Sequence, residues 1–399
     1  MKTILRKFVR FVTDSVIYIE SFLYVRKKKS AKSKHRVLIM RKDGLGDCII
    51  FYPTLKAYRE YYADADITLI FPTYFKDLAP LLSKDLVDNV IWFDHKAFGS
   101  QFSYRRKFLL DLKRGGYDIF IYPVFTRETI GSFMMKMTGA QEKIGFKGDI
   151  SERGARSEAK GMLTYTRLIE VPQTMVSEIE RDAFFAEAIT GKKVSISFPT
   201  IDIRKLSDEK ASQLMNKNNL TNKKYVVMFP GAGVAFRIWM TENFAAIADY
   251  LASKGITVVI SGSSKEKELA KDIISKSVSG SNIIDLSGQT DLATLAHILK
   301  RSLFYFGSDT GILHLAVAVG TPAIAIVGMG GLDRFFPYGD HATNRAVYDK
   351  TRSYITGRWN DAHLLKPGEI HPSIKNITVA DTVKEIDFLL QNESVYAKI

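Results

Sequence analysis

The sequence predicts an α/β protein built from two Rossmann-like domains facing a central cleft, with an amphipathic helix at the amino terminus. Three observations predict it. From residue 36, short β-branched runs alternate with longer helical patterns, as in parallel sheets covered by helices. The alternation comes in two series, separated by a polar, Lys/Asn-rich stretch at 190–224. At 399 residues and 46% hydrophobic composition, the chain is too long for one core and long enough for two. The expected division is a basic amphipathic helix at 1–35, a first domain at 36–200, a linker at 201–224, a second domain at 225–375, and a closing helix and tail at 376–399.

At the amino end, Leu5, Phe8, Val9, Val12, Val16, Ile19 and Leu23 recur at helical spacing, while Arg6, Arg10, Asp14 and Glu20 interrupt any continuous apolar run. An uninterrupted apolar segment such as Val16–Ile19 is too short for a signal peptide core or a membrane span. The formal net charge is +14, and eleven of the Lys and Arg residues fall within 1–36 against only Asp14 and Glu20. A helix followed by Arg26-Lys27-Lys28-Lys29 has the form of an interfacial anchor, since each basic residue near an anionic leaflet contributes about 1 kcal/mol. Residues 1–34 are therefore expected on an anionic membrane surface, not on nucleic acid. The alternative is an ordinary helix packed on the body. The single Cys48 rules out an internal disulfide framework and a multi-Cys metal site, which fits a reducing cytoplasm.

Strands are expected at 37–40, 67–71, 90–93 and 117–122 in the first series, with a helix at 52–61. In the second they are expected at 225–229, 256–261, 283–286, 303–307 and 323–327. After about residue 340 no clear period returns until a helix at 379–390. Two such domains in tandem place the carboxyl ends of two parallel sheets across a cleft, where open α/β sheets bind ligands.

Five turns at those carboxyl ends carry the chemistry. In Asp43-Gly44-Leu45-Gly46-Asp47 the glycines permit close backbone approach, and Asp47 is either an amino-terminal helix cap or a proton acceptor at the cleft mouth. A dinucleotide fingerprint is disfavoured because position 49 is Ile instead of a third glycine. In Pro230-Gly231-Ala232-Gly233, followed by Arg237 and Trp239, the loop exposes backbone NH groups, and Arg237 is suited to phosphate oxygens or to solvent. In Gly307-Ser308-Asp309-Thr310-Gly311, helix NH groups at Thr310 and Gly311 suit a phosphate. Asp309 suits a cap or a ligand hydroxyl there, and His314, one turn on, either a ligand or a core position. Glu266, after Ser261-Gly262-Ser263-Ser264, suits ribose hydroxyls or solvent, and Leu286-Ser287-Gly288-Gln289-Thr290 forms a similar turn one unit later.

In this order and at these separations the segments resemble glycosyltransferase family 9, the group containing the ADP-heptose:lipopolysaccharide heptosyltransferases, over roughly residues 36–390. The resemblance implies the GT-B fold, an inverting mechanism, and neither metal nor other cofactor beyond a nucleotide diphosphate sugar, ADP-linked and bearing heptose by preference. It implies a lipopolysaccharide or other lipid-linked or polysaccharide glycan as acceptor, at the inner face of the cytoplasmic membrane. Asp47 matches the general base. Gly231, Ala232, Arg237, Glu266, Gly288, Asp309, Thr310, Gly311 and His314 match the donor side, and Gly44, Gly46 and Arg127 belong to the acceptor side, with Arg153 and Arg156 as further cations there. Arg237 stands where the family usually has Lys, the cysteines common near the carboxyl end of relatives are missing, and the basic amino-terminal helix is an addition. Those departures bear on which sugar and acceptor are used. The rival readings are a non-catalytic sugar- or nucleotide-binding protein of the same fold, and a metal-dependent transferase using Asp64-Ala-Asp66.

Overall fold

The computed structural model describes residues 2–23, 35–126, 128–148, 164–196, 198–328, 331–338, 342–350 and 369–392, with 2–9 and 11 as backbone alone. Arg36–Met40 (β1) is apolar from 37 to 40 because both of its faces are covered. Val37 and Ile39 enter one core cluster, and Leu38 and Met40 enter another on the opposite face. Around it lie Asp66–Pro72 (β2), Asn89–Phe93 (β3), Ile119–Tyr122 (β4), Glu142–Phe146 (β5) and Arg167–Ile169 (β6). They form a parallel sheet in the order β3-β2-β1-β4-β5-β6.

The second sheet comprises Tyr225–Phe229 (β7), Thr257–Ile260 (β8), Ile283–Asp285 (β9), Tyr305–Ser308 (β10), Ala323–Ile326 (β11) and Asn344–Val347 (β12). Its order, β12-β11-β10-β7-β8-β9, is again wholly parallel. Both orders reverse beside their first strand, between β1 and β4 and between β7 and β10, and crevices at such reversals are where these sheets take ligands.

All nine expected strands are present within two residues of their expected bounds, whereas β5, β6 and β12 were not foreseen. The last two are short edge strands with charged or half-exposed positions, so they lack the apolar run that marks a central strand. The expected helix at 52–61 begins as a tight 3-10 turn, Tyr52–Thr54, around Pro53 before Leu55–Tyr61. Within 201–224 a helix, Glu209–Lys217, buries Ala211 and Met215 one turn apart. Two apolar contacts in a polar segment are too few to stand out as a period.

The amino-terminal helix Lys2–Ser21 lies against the helix Phe102–Arg114. Its inner face is largely polar. Arg105 forms an ion pair with Asp14 at 2.9 Å and donates to the Thr13 hydroxyl at 2.8 Å, Arg106 chelates Glu20, and Ile17 and Ser21 are buried. Among the described side chains the outer face is apolar, with Val12, Val16 and Ile19, and Leu23 just past the helix end, between 42 and 80% exposed. An amphipathic helix in water ordinarily turns its apolar stripe inward. Among the described residues no helix is long and apolar enough to cross a membrane.

Candidate active site

The first half of the site grows out of β1. Arg41, the residue after the strand, is 1% exposed, donates to the Pro123 carbonyl at the end of β4 and to Asp182 at 2.7 Å, and forms an ion pair with Asp43 at 2.9 Å. Its remaining Nη2 stands 3.7 Å from Asp47 Oδ1. The chain turns at Gly44, and Asp47 sits in the first turn of the helix Leu45–Phe51, where Oδ2 accepts the Gly44 NH at 3.0 Å. The cap expected of an acid at this place is therefore present. Oδ1 is turned to the Arg41 side, and a quarter of the side chain stays open. Burial, reinforced by the charge of Asp43 and opposed by Arg41, pushes the Asp47 carboxyl up to about 7. A group poised there exchanges protons readily near neutrality.

The second half lies at the β7/β10 reversal. Gly307 runs so close to β7 that a Cβ would fall 2.2 Å from the Phe229 carbonyl oxygen, and Ser308 Oγ donates to the Pro230 carbonyl at 3.0 Å. Thr310 is the N-cap residue of the helix Gly311–Ala318 but supplies no side-chain cap. Burial raises Asp309 to about 6, with the nearby Arg237 guanidinium opposing it. The Arg237 loop ends on Trp239, which is buried and donates Nε1–H to the Ile377 carbonyl at 3.0 Å. Glu266 folds back on the first turn of its own helix, where Oε2 accepts the Ser263 NH at 2.7 Å and hydroxyl at 2.6 Å. Its stem covers Gly231 and Gly262, either of which would clash with it if given a Cβ. Gly288, at φ +72°, donates to the Gly262 carbonyl at 2.7 Å and closes the row of turns.

The two halves meet. The helices Leu45–Phe51 and Gly311–Ala318 pack amino end to amino end, and one apolar cluster containing both Val37 and Val227 runs through the contact. A Cβ on Gly46 would lie 2.4 Å from His314 Cδ2, and one on Gly311 would lie 2.7 Å from Leu45 Cβ and 3.0 Å from the Gly46 nitrogen. Both glycines are thus needed for the approach. His314 is buried, its Nδ1 is 2.8 Å from the Tyr338 hydroxyl, and burial lowers it to about 4, so it is neutral near pH 7.

A family model described as glycosyltransferase family 9 (heptosyltransferase) matches residues 105–354. The chain belongs to glycosyltransferase family 9. Lipopolysaccharide heptosyltransferase 3 of Escherichia coli is 22% identical over 289 residues, covering 71% of this chain and 80% of its own length. The solved ADP-heptose lipopolysaccharide heptosyltransferase II of E. coli superposes with a TM-score of 0.68 at 19% identity, over 90% of this chain and 99% of that one. E. coli heptosyltransferase WaaC, solved with ADP-2-deoxy-2-fluoro heptose, gives 0.61 at 18%, over 88% and 99%. At such identities the structural likeness concerns the fold, which is GT-B.

Within this family 9 enzyme, Gly44, Gly46 and Asp47 lie on one wall; Gly311 and His314 lie directly against Gly46, with Asp309 and Thr310 just before them in the chain. Gly231, Ala232, Arg237, Glu266 and Gly288 extend along the carboxyl edge of the second sheet. Arg127, Arg153 and Arg156, and the basic run at 26–29, lie outside the described residues. Asp66 opens β2 at its amino end, bonded to Asn89, and is remote from the carboxyl ends where the cleft lies. Sequence reasoning passed over Arg41, Asp182, Glu178, Arg334 and Tyr338. Arg41 carried one usable signal, a cation immediately after a central strand and before a glycine turn. The others are brought in by tertiary contacts from elements distant in the chain.

Proposed function

We propose that this transferase moves a sugar, heptose by preference, from a nucleotide diphosphate to a lipopolysaccharide or other cell-surface glycan, with inversion and without a metal. The observation that carries the reading is the packing of the Gly46–Asp47 turn against the Asp309–His314 turn. The open side of the Asp47 carboxylate takes the proton of the acceptor hydroxyl as that oxygen forms its bond to the anomeric carbon. The bond from that carbon to the diphosphate breaks on the opposite face. Charge gathering on the leaving diphosphate is met by the NH groups at Thr310 and Gly311 and by Arg237, in the manner of a preorganised anion hole. Glu266 Oε1, beside Gly231, is the group we assign to a ribose hydroxyl, and neutral His314 serves as a hydrogen-bonding group instead of a cation. The names of the E. coli relatives support lipopolysaccharide as acceptor, and the WaaC complex supports an ADP-linked donor. Metal independence is supported by the acids around Asp47 being gathered on Arg41.

Thermal-shift screening against ADP-, UDP-, GDP- and TDP-sugars, followed by transfer assays with and without EDTA, tests this. One nucleotide class should raise the melting temperature, since saturation at 100 times Kd adds about 2.7 kcal/mol. Full activity should survive the chelator. No shift with any nucleotide sugar, or loss of activity in EDTA, refutes the respective part.

The outward apolar row Val12, Val16, Ile19 and Leu23, followed by the basic run, supports seating on the anionic inner face of the cytoplasmic membrane. Deleting residues 1–34 should release the protein from phosphatidylglycerol-containing liposomes at moderate salt. Retention on the vesicles would place the anchor elsewhere.

A further inference from the structure

The segment Gly331–Tyr338, after β11, touches both the Asp309–His314 turn and the first domain. A Cβ on Gly331 would sit 2.3 Å from Asp309 Oδ2, and the Tyr338 hydroxyl meets His314. Between these two contacts Arg334 crosses to the first domain. Its Nε and Nη2 hold the same Glu178 oxygen at 2.8 and 2.7 Å, Nη2 also donates to Thr126 Oγ1 at 2.9 Å, and its carbonyl accepts the Glu178 NH at 2.8 Å. Glu178 opens the helix Glu178–Thr190, so this second-domain loop supplies both an acceptor for an otherwise unpaired NH of the first turn and a cation for its first carboxylate. The pair is largely withdrawn from water, with Glu178 5% and Arg334 19% exposed. One helical turn on, Asp182 grips Arg41, which faces Asp47.

We propose that Arg334 is a positioning residue for the transfer: through Glu178 it clamps the donor-side loop onto the first domain and holds Asp47 opposite the donor seat. This rests on the transferase reading above for its kinetic consequences, but the clamp itself does not. A rigid helix carries the constraint, since Glu178 and Asp182 are successive positions on one face. The charged and titratable groups that face Asp47 are Asp43, Arg41, Glu178, Cys48 and Tyr74. Removing the Arg334 cation leaves Glu178 with Arg181 alone, at 2.9 Å, and strengthens the negative field at Asp47.

The test uses the full chain with spin labels on Lys96→Cys in the first domain and Lys271→Cys in the second, both exposed, since the native Cys48 is buried and stays unlabelled. Arg334→Gln should broaden the interlabel distance distribution toward longer values. It should also lower kcat roughly 10- to 100-fold, the scale of an on-the-order-of 1 Å misplacement, while ADP affinity is retained. The acid limb of the pH–rate profile should move to higher pH. Arg334→Lys keeps the charge without the fork, so it should restore the pH limb and only part of kcat. It also decides the matter if the Gln variant fails to fold by circular dichroism. Should no donor support transfer, the distance distribution still judges the clamp. Distributions and pH limb identical to the parent would overturn the proposal.

Discussion

Asp47→Asn is expected to lower the transfer rate by about 10² or more while leaving nucleotide binding nearly intact. The substitution is close to isosteric, and an Asn oxygen can still accept the Gly44 NH, so the turn that carries the group is retained. What is lost is the capacity to take a proton. In the parent enzyme the carboxyl stands at about 7 because burial and Asp43 oppose its charge. The base form therefore accumulates as pH rises through that value, and kcat/KM should climb across it and then level. The variant should lack this limb. Stability moves the other way. A carboxyl raised from 3.8 to about 7 binds its proton more tightly in the folded state, so its contribution weakens as pH rises between those values. Asn removes that dependence, and the variant should melt no lower than the parent at pH 8. Steady-state kinetics and calorimetric melting read both effects, and an unchanged rate would remove Asp47 from the mechanism.

The sequence made the fold legible where physics is local. Central strands such as β1 and β7, buried on both faces, announce themselves as apolar runs, and the turns that follow them contain glycines over which side chains close, His314 over Gly46 and Glu266 over Gly231. Gly46 and Gly311 show how far this goes. Their places in two strand-turn-helix units were visible, but the reason both must be glycine is their mutual approach, which only the packed domains display. Edge strands such as β12 are half exposed and left no pattern. The charge network was the least legible part. Arg41 and Asp182 are 141 positions apart and Glu178 and Arg334 are 156 apart, so no spacing rule connects them. Pairs of this kind are set by how sheets and loops come together, not by local propensity. The amino-terminal helix was legible as amphipathic, but its orientation was not. Its polar side is consumed by Arg105 and Arg106, which leaves the apolar side outward.

Arg41→Leu should be the most destabilising single change in the first domain. Arg41 and Asp182 are both 1% exposed, and the guanidinium also holds Asp43 and the Pro123 carbonyl. Deleting one partner of a buried pair strands the other without water, and such changes cost about 3–5 kcal/mol. Asp182 is already pushed well above the ordinary carboxylate range by burial, with Arg41 opposing that rise. Without Arg41 it should fold as the neutral acid. The unfolded chain then releases the Asp182 proton at lower pH than the folded one, so the variant loses stability as pH rises. The parent shares this dependence until its paired Asp182 ionises, so the deficit should widen as pH rises past that point. A second change, Asp182→Leu, should recover part of it by replacing the orphaned acid with apolar contact. Urea unfolding of the full chain, followed by circular dichroism at several pH values, measures this. A pH-independent deficit below about 1 kcal/mol, the range of an exposed pair, would mean that Arg41 is solvated and does not organise the site. Activity offers a second readout, because the cation nearest Asp47 is lost in the same step and the carboxyl should rise further. In whatever fraction stays folded, the acid limb of the pH–rate profile should lie above that of the parent.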